Sequence, residues 1–276
     1  MTFRLAGFAL LMAVSARGAD AVTVRFRATV GDEELACGRK YSGVGTTKSS
    51  VTLKDFRFYV HNVRLVDEAG HETAVELNQG GQWQLDDVAL LDFEDASGAC
   101  RNGTPEKNTQ VAGTVPAGHS YHGLRFTLGV PFAKNHRDLT ARPSPLNLTA
   151  MAWIWNAGRR FARIEVTSTG VPRGYAIHLG STGCTPNQSP NAPPTKCLSP
   201  NRVEVELADF DPAKDVVIAD LGALLADSDV DHGTGCESEP GTAACGPVFG
   251  RLGLPFAGRP DGKQSFFRKG LMEAGK

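Results

Sequence analysis

Apolar residues in this chain recur mainly at every second position, the spacing that gives a strand one buried and one polar face. The longest such run is 51–66, VTLKDFRFYVHNVRLV, which puts Phe56, Phe58 and Val60 on one face and Arg57, Tyr59 and His61 on the other. Residues 22–30, 121–130, 161–167, 175–179 and 202–207 repeat the pattern in shorter form, and 83–93 reads as a further strand. The turn Asp67-Glu68-Ala69-Gly70 makes 73–77 the return arm of a hairpin. Between the strands lie a Gly-rich loop at 31–47, a polar stretch at 98–114 and a long loop at 132–148 that begins after Pro131. Helical spacing is confined to 221–225. The pattern predicts a mainly β, sandwich-like single domain with long stapled loops and at most one or two short helices.

One stretch departs from the aliphatic pattern, Met151-Ala152-Trp153-Ile154-Trp155. Read as a strand, it lines one face with a thioether and two indoles. Such a face packs well in a core, because sulfur sits favourably on aromatic edges. It is also a polarizable, oxidisable surface, so core strand and chemical site both remain open from these residues alone.

Composition narrows the classes. A net charge of -1 with interspersed signs argues against a nucleic-acid partner. The first 21 residues read as a signal peptide, with Arg4, an apolar run at 5–14 and Ala19-Asp20-Ala21 as a small-x-small cleavage site. That run is too short to span a bilayer, and no second run of spanning length follows. The expected product is periplasmic or secreted, with a β domain over 22–256 and a flexible, basic, Gly-rich tail over 257–276. In an exported chain the six cysteines, Cys37, Cys100, Cys184, Cys197, Cys236 and Cys245, favour disulfides over thiols. Many connectivities are formally possible. Spacing suggests Cys184 with Cys197 and Cys236 with Cys245, which leaves Cys37 for Cys100.

Candidate chemistry rests on few residues. His136 lies in the long loop, His178 near the end of an apolar strand, and His61 on the polar face of the longest strand. Each alone reads as well as a solvated or packed histidine. Together with Met151 they form a soft thioether and imidazole set suited to Cu(I). No H-E-x-x-H zinc motif is present, and Gly180-Ser181-Thr182-Gly183 lacks the spacing of a nucleophile elbow. The run from Asp227 to Gly233 approaches a calcium loop, but its glycine falls one place late, and it reads as a polar turn.

Several of these pieces occur together in a known family. The runs FRFYVHNVRL (56–65), LGVPF (128–132) with Asn135-His136, and Pro145-Leu146-Asn147 match it. So do Met151-Ala152-Trp153-Ile154-Trp155, HLGSTGC (178–184) and Pro200-Asn201-Arg202, with Cys197, Cys236 and Cys245 completing four cysteines. On these residues the chain resembles the MbnP family of methanobactin-associated copper proteins, in its metallo-mystery pair four-Cys branch. The resemblance implies an exported copper-binding protein of copper homeostasis and not an enzyme. It implies that Trp153 is oxidised to kynurenine by a di-haem partner of the MauG and cytochrome c peroxidase type. It further implies a copper site near that residue, with Met151 as the thioether and a histidine as the imidazole; strand geometry ranks His178 first, then His136, then His61. Trp155 is expected to pack. Arg159-Arg160 departs from the Gly-Tyr-Lys more usual after the W-x-W turn. The alternative is a metal-free, disulfide-stapled surface or periplasmic binding module.

Overall fold

The computed structural model describes residues 18–140, 142–153, 158–185 and 193–272. Trp155 and most of the predicted signal peptide lie outside them.

Two sheets enclose one core. In the first, Ala19–Val30 runs parallel to Asp215–Asp220 and antiparallel to Gln110–Pro116. In the second, Ser49–Val66 is the hub, with Gly123–Leu128 and then Val203–Ala208 on one side and Ala162–Ser168 and then Tyr175–Leu179 on the other. Lys40–Val44, Glu72–Ala74 and Val88–Asp92 also pair with the hub, at different stretches of its length. One strand serves so many partners because it is 18 residues long and bulged. The register against Gly123–Leu128 slips beside Asn62, whose φ of 54° is a left-handed conformation that Asn tolerates, and the slip adjoins His61.

The apolar faces meet in an aromatic cluster. Phe58 lies edge-on to Phe26 across the two sheets, at 6.2 Å between ring centroids, and Phe126 packs on Phe26 at 5.6 Å. The segment expected to be a flexible tail supplies part of this cluster. Phe267 packs on Phe58 and Phe126 at 5.4 and 5.1 Å, and Phe267–Leu271 adds an antiparallel edge strand beside Asp215–Asp220. The tail assignment is therefore corrected. The Phe266-Phe267 pair buries enough apolar surface to hold a segment that is otherwise basic and glycine-rich.

The three disulfides are Cys37–Cys100, Cys184–Cys197 and Cys236–Cys245, the pairing that spacing suggested. The described residues contain three short α-helices, one more than expected: Phe132–Asn135, Leu221–Leu225 and Cys245–Leu252. The last buries Val248, Phe249 and Leu252 and stops at Gly253 in the left-handed conformation, a local signal hidden among loop-like residues.

Candidate metal centre

The outer face of the hub strand is polar but not exposed. Cross-strand register lines up Asp92, Arg57, Arg163 and His178 in one row, with Asp55 and Glu165 in the next. Arg57 bonds Asp55 and lies 3.6 Å from Glu94, and all three are almost fully buried. Buried charges persist only when paired, so this face is a contiguous ion network. Burial first, then the charge of Glu94, pushes the Asp92 carboxyl up to about 8 against the opposing pull of Arg57.

His178 closes the row. Its Nε2 lies 2.8 Å from Glu165 Oε1 and its Nδ1 lies 2.8 Å from Glu237 Oε1. Glu237 arrives because Gly235–Cys236 pairs with Ala176 and Ile177, and Cys236 is stapled to the following helix. Ser238 accepts from the Gly180 amide and donates to the His178 carbonyl, which fixes that junction. Burial would raise the Glu165 carboxyl, but hydrogen bonds from His178 and Arg163, with their charges, outweigh it and hold it down at about 2. Both ring nitrogens of His178 are thus engaged by carboxylates, and His178 serves the network.

His136 is placed differently. It follows the helix Phe132–Asn135 inside the long loop, its ring tilted against that of Phe132 at 5.0 Å between centroids. Buried Arg159 organises this loop from below: its guanidinium donates to the carbonyls of Lys134, Asn135, Arg137 and Leu146. The Arg159 amide donates to Asn135 Oδ1, which leaves the Asn135 amino group facing His136 Nε2 at 3.1 Å. That arrangement makes Nε2 the acceptor nitrogen and leaves the proton on Nδ1.

Trp153 reaches the same place from the other side. Ala152–Trp153 pairs with Gly158–Arg159, and Trp153 lies opposite Gly158. A Cβ on Gly158 would stand 3.3 Å from the His136 ring, so the imidazole rests on the backbone that pairs with Trp153. The indole itself lies on Gly180, where a Cβ would come within 2.3 Å of its Cζ3, and Arg160 stands 6.0 Å from the ring centroid. Arg160 also donates to the carbonyls of Ala150 and Ala152, and Arg163 to that of Ala150. Met151 is not in the strand. It ends the 3-10 turn Thr149–Met151 and joins the core cluster, whereas Trp153 is buried outside that cluster. The expected shared face of Met151 and Trp153 is therefore replaced by a turn, closed by the bonds from the Met151 amide to the Leu148 carbonyl and from the Ala152 amide to the Thr149 carbonyl, and a short strand.

Beside His136 runs the Cys184–Cys197 disulfide, a cross-strand bridge between Thr182–Cys184 and Cys197–Ser199. Nε2 lies 3.4 Å from Cys197 Sγ and 4.0 Å from Cys184 Sγ. His61 is apart from this group. Its Nε2 is buried with no hydrogen-bond partner among the described residues. Burial pushes it down to about 4; Arg202, Lys134 and Arg64 add to that effect and Asp87 opposes it. It is a neutral imidazole, but the cations around it disfavour a metal ion.

The structure thus brings His136, Trp153 and the 180–184 run together, while His178 faces Glu165 and Glu237 and His61 is buried beside Arg202, Lys134 and Arg64. Pattern alone could not reveal Arg159, Arg160, Asn135 or Glu237 as the residues that hold these parts. A doublet of arginines beside the W-x-W turn was the visible trace. The Asp227–Gly233 run is structural: Asp231 accepts from Ser49 and Gly170, Asp229 pairs with His232, and Asp227 with Arg251.

Comparisons with known proteins agree with this architecture. The family model for MbnP matches residues 19–238. Among solved structures, MbnP from Methylosinus trichosporium is similar with a TM-score of 0.83 and 35% sequence identity, over 93% of this chain and 100% of that one. A search of curated proteins finds no match. The chain belongs to the MbnP family.

Proposed function

We propose that this is an exported copper-binding protein of copper homeostasis, acting as a binding protein and not as an enzyme. In this reading its site lies at Trp153 and His136. The observation that carries the proposal is the Gly158 junction, where the His136 ring rests on the residue paired with Trp153. The donor chemistry fits a soft cation, since the Asn135 amino group leaves His136 an acceptor nitrogen at this junction. His136 takes precedence over His178, whose two nitrogens already face carboxylates. Met151 reaches the site only by turning away from the core, so it is the weaker of the two ligand assignments.

Trp153 is the residue we expect a di-haem partner of the MauG and cytochrome c peroxidase type to oxidise to kynurenine. The C2–C3 bond of the indole breaks as four electrons pass to the partner's haems, which reduce two peroxides to water; two waters supply the oxygens on C2 and C3 and lose four protons, and a third water hydrolyses C2 off as formate. An aryl amine and a ketone remain. Trp153 is only 2% exposed, so oxidising equivalents must reach it through the protein rather than by contact. The changed side chain then shapes the surroundings of His136, and groups of that kind strongly affect metal affinity.

The test is peptide mass spectrometry on protein co-produced with the partner, with copper quantified in the same sample and in His136→Ala and Met151→Ala. Kynurenine at Trp153 with copper that depends on His136 supports the proposal. Unmodified Trp153 without copper, despite an active partner, favours the metal-free stapled module, a reading to which the core position of Met151 lends support.

A further inference from the structure

We infer that the Cys184–Cys197 disulfide masks a second, redox-gated coordination state in which both sulfurs and His136 Nε2 hold a soft cation. The three ligand atoms lie within 4.8 Å of one another. In the oxidised protein the sulfurs are bonded to each other and offer no thiolate. Around a tetrahedral metal, nitrogen and thiolate ligands stand about 3.5 Å apart, from bond lengths of about 2.0 and 2.3 Å. The existing Nε2 to sulfur distances, 3.4 and 4.0 Å, bracket that value. The imidazole is therefore already at ligand distance from both cysteines, and only the sulfur–sulfur bond stands between this arrangement and a two-cysteine, one-histidine site.

Three further features support the assignment. First, the nitrogen facing the sulfurs is the acceptor, because Asn135 presents its amino group to it. When Nε2 binds a cation instead, that amino group is placed to donate to a thiolate, a common outer contact of metal sites. Second, Cys184 and Cys197 are both half-buried, whereas in each other bridge at least one sulfur is buried: Cys37 is half-buried but its partner Cys100, like Cys236 and Cys245, is at most 1% exposed. An attacking thiolate needs access to a sulfur, so this bridge is the one most open to exchange. Third, three protein ligands leave a position free for solvent or a donor from another molecule, which suits a cation that is to be passed on.

The step balances with a dithiol reductant. The dithiol gives up two electrons and two protons and closes to its own disulfide; the Cys184–Cys197 bond breaks and each sulfur takes one proton. Cation binding then releases those protons, and reoxidation by a disulfide, which takes the pair's two electrons and two protons from solvent to become a dithiol, re-forms the Cys184–Cys197 bond and expels the cation. The inference shares His136 with the copper reading above but needs neither kynurenine nor the di-haem partner.

The experiment treats the full mature protein with a limiting dithiol, maps free thiols by alkylation and mass spectrometry, and titrates Co(II) without oxygen. We expect alkylation at Cys184 and Cys197 before the other four cysteines. One Co(II) per chain should give a thiolate-to-metal charge-transfer band and protect both thiols from alkylation. His136→Ala should weaken Co(II) binding about tenfold, and Cys184→Ser with Cys197→Ser should abolish the band. Free thiols at both positions without a band or protection would overturn the inference. So would a band undiminished in His136→Ala, or earlier opening of another disulfide. Thiol protection in the unsubstituted protein remains decisive even where a variant misfolds. Copper in the untreated, oxidised protein reports on the reading above and the band after reduction reports on this one, so each can fail alone.

Discussion

Two buried histidines, His178 and His136, show how one residue type is assigned opposite work by its neighbours. His178 sits between Glu165 and Glu237, both 2.8 Å from its ring nitrogens. His136 faces an amide nitrogen, a disulfide and the backbone opposite Trp153. The first is held between two carboxylates; the second lies against an amide amino group, a disulfide and a strand backbone. A buried histidine becomes a ligand candidate through the groups its ring faces, here an amide amino group and a disulfide in place of the two carboxylates at His178.

Breaking the charged corner should have the largest effect on stability. Glu165→Ala leaves Arg163 and His178 without their shared carboxylate and should cost about 3–5 kcal/mol, read from the midpoint of urea unfolding. Copper content should stay the same; a parallel loss of copper would show that the two corners are one site. The same carboxylate sets an acid limit. Held at about 2, it contributes stability that is complete above its ordinary pKa of 4.5 and is lost as pH falls from there towards 2. Equilibrium unfolding across that window should show a loss on the order of 2–3 kcal/mol that Glu165→Gln removes. Asp92 carries the opposite sign. With its carboxyl raised to about 8 by burial and by Glu94, stability should decline as pH rises from its ordinary value of 3.8 towards 8, and Asp92→Asn should flatten that slope.

The soft corner should respond to shape. Gly180→Ala places a Cβ 2.3 Å from the Trp153 ring and should cost about 1–3 kcal/mol by overpacking. It should also lower the yield of oxidised Trp153 in the presence of the partner, measured by peptide mass spectrometry. An unchanged yield would separate Trp153 chemistry from its seat on Gly180. The smallest stability effect belongs to His136→Ala, about 1 kcal/mol, together with loss of copper. A variant that keeps its copper would move the proposed site away from His136.

Much of the architecture was legible in the sequence. Alternation located the hub strand and assigned Phe56 and Phe58 to the core and Arg57, Tyr59 and His61 to the other face, because side-chain direction in a strand follows from local periodicity. Spacing suggested the three disulfides, two of which close short loops. Three features were not legible. Phe266 and Phe267 looked like part of a tail, since no local pattern says which edge will accept a strand. Met151 looked like a member of the Trp153 face, since a single 3-10 turn has no periodic signature. The helix Cys245–Leu252 was hidden by its glycines and proline.

Local spacing and side-chain type therefore pointed to the strands, their faces and the staples, and the motif runs to the family, because each depends on a few neighbouring residues. The division of labour among the histidines was settled only by tertiary packing. Glu165 lies 13 residues from His178 and Glu237 lies 59 away, while Cys184 and Cys197 lie 48 and 61 from His136. The character of each imidazole is a property of groups that meet only when the sheet and its loops close over one another.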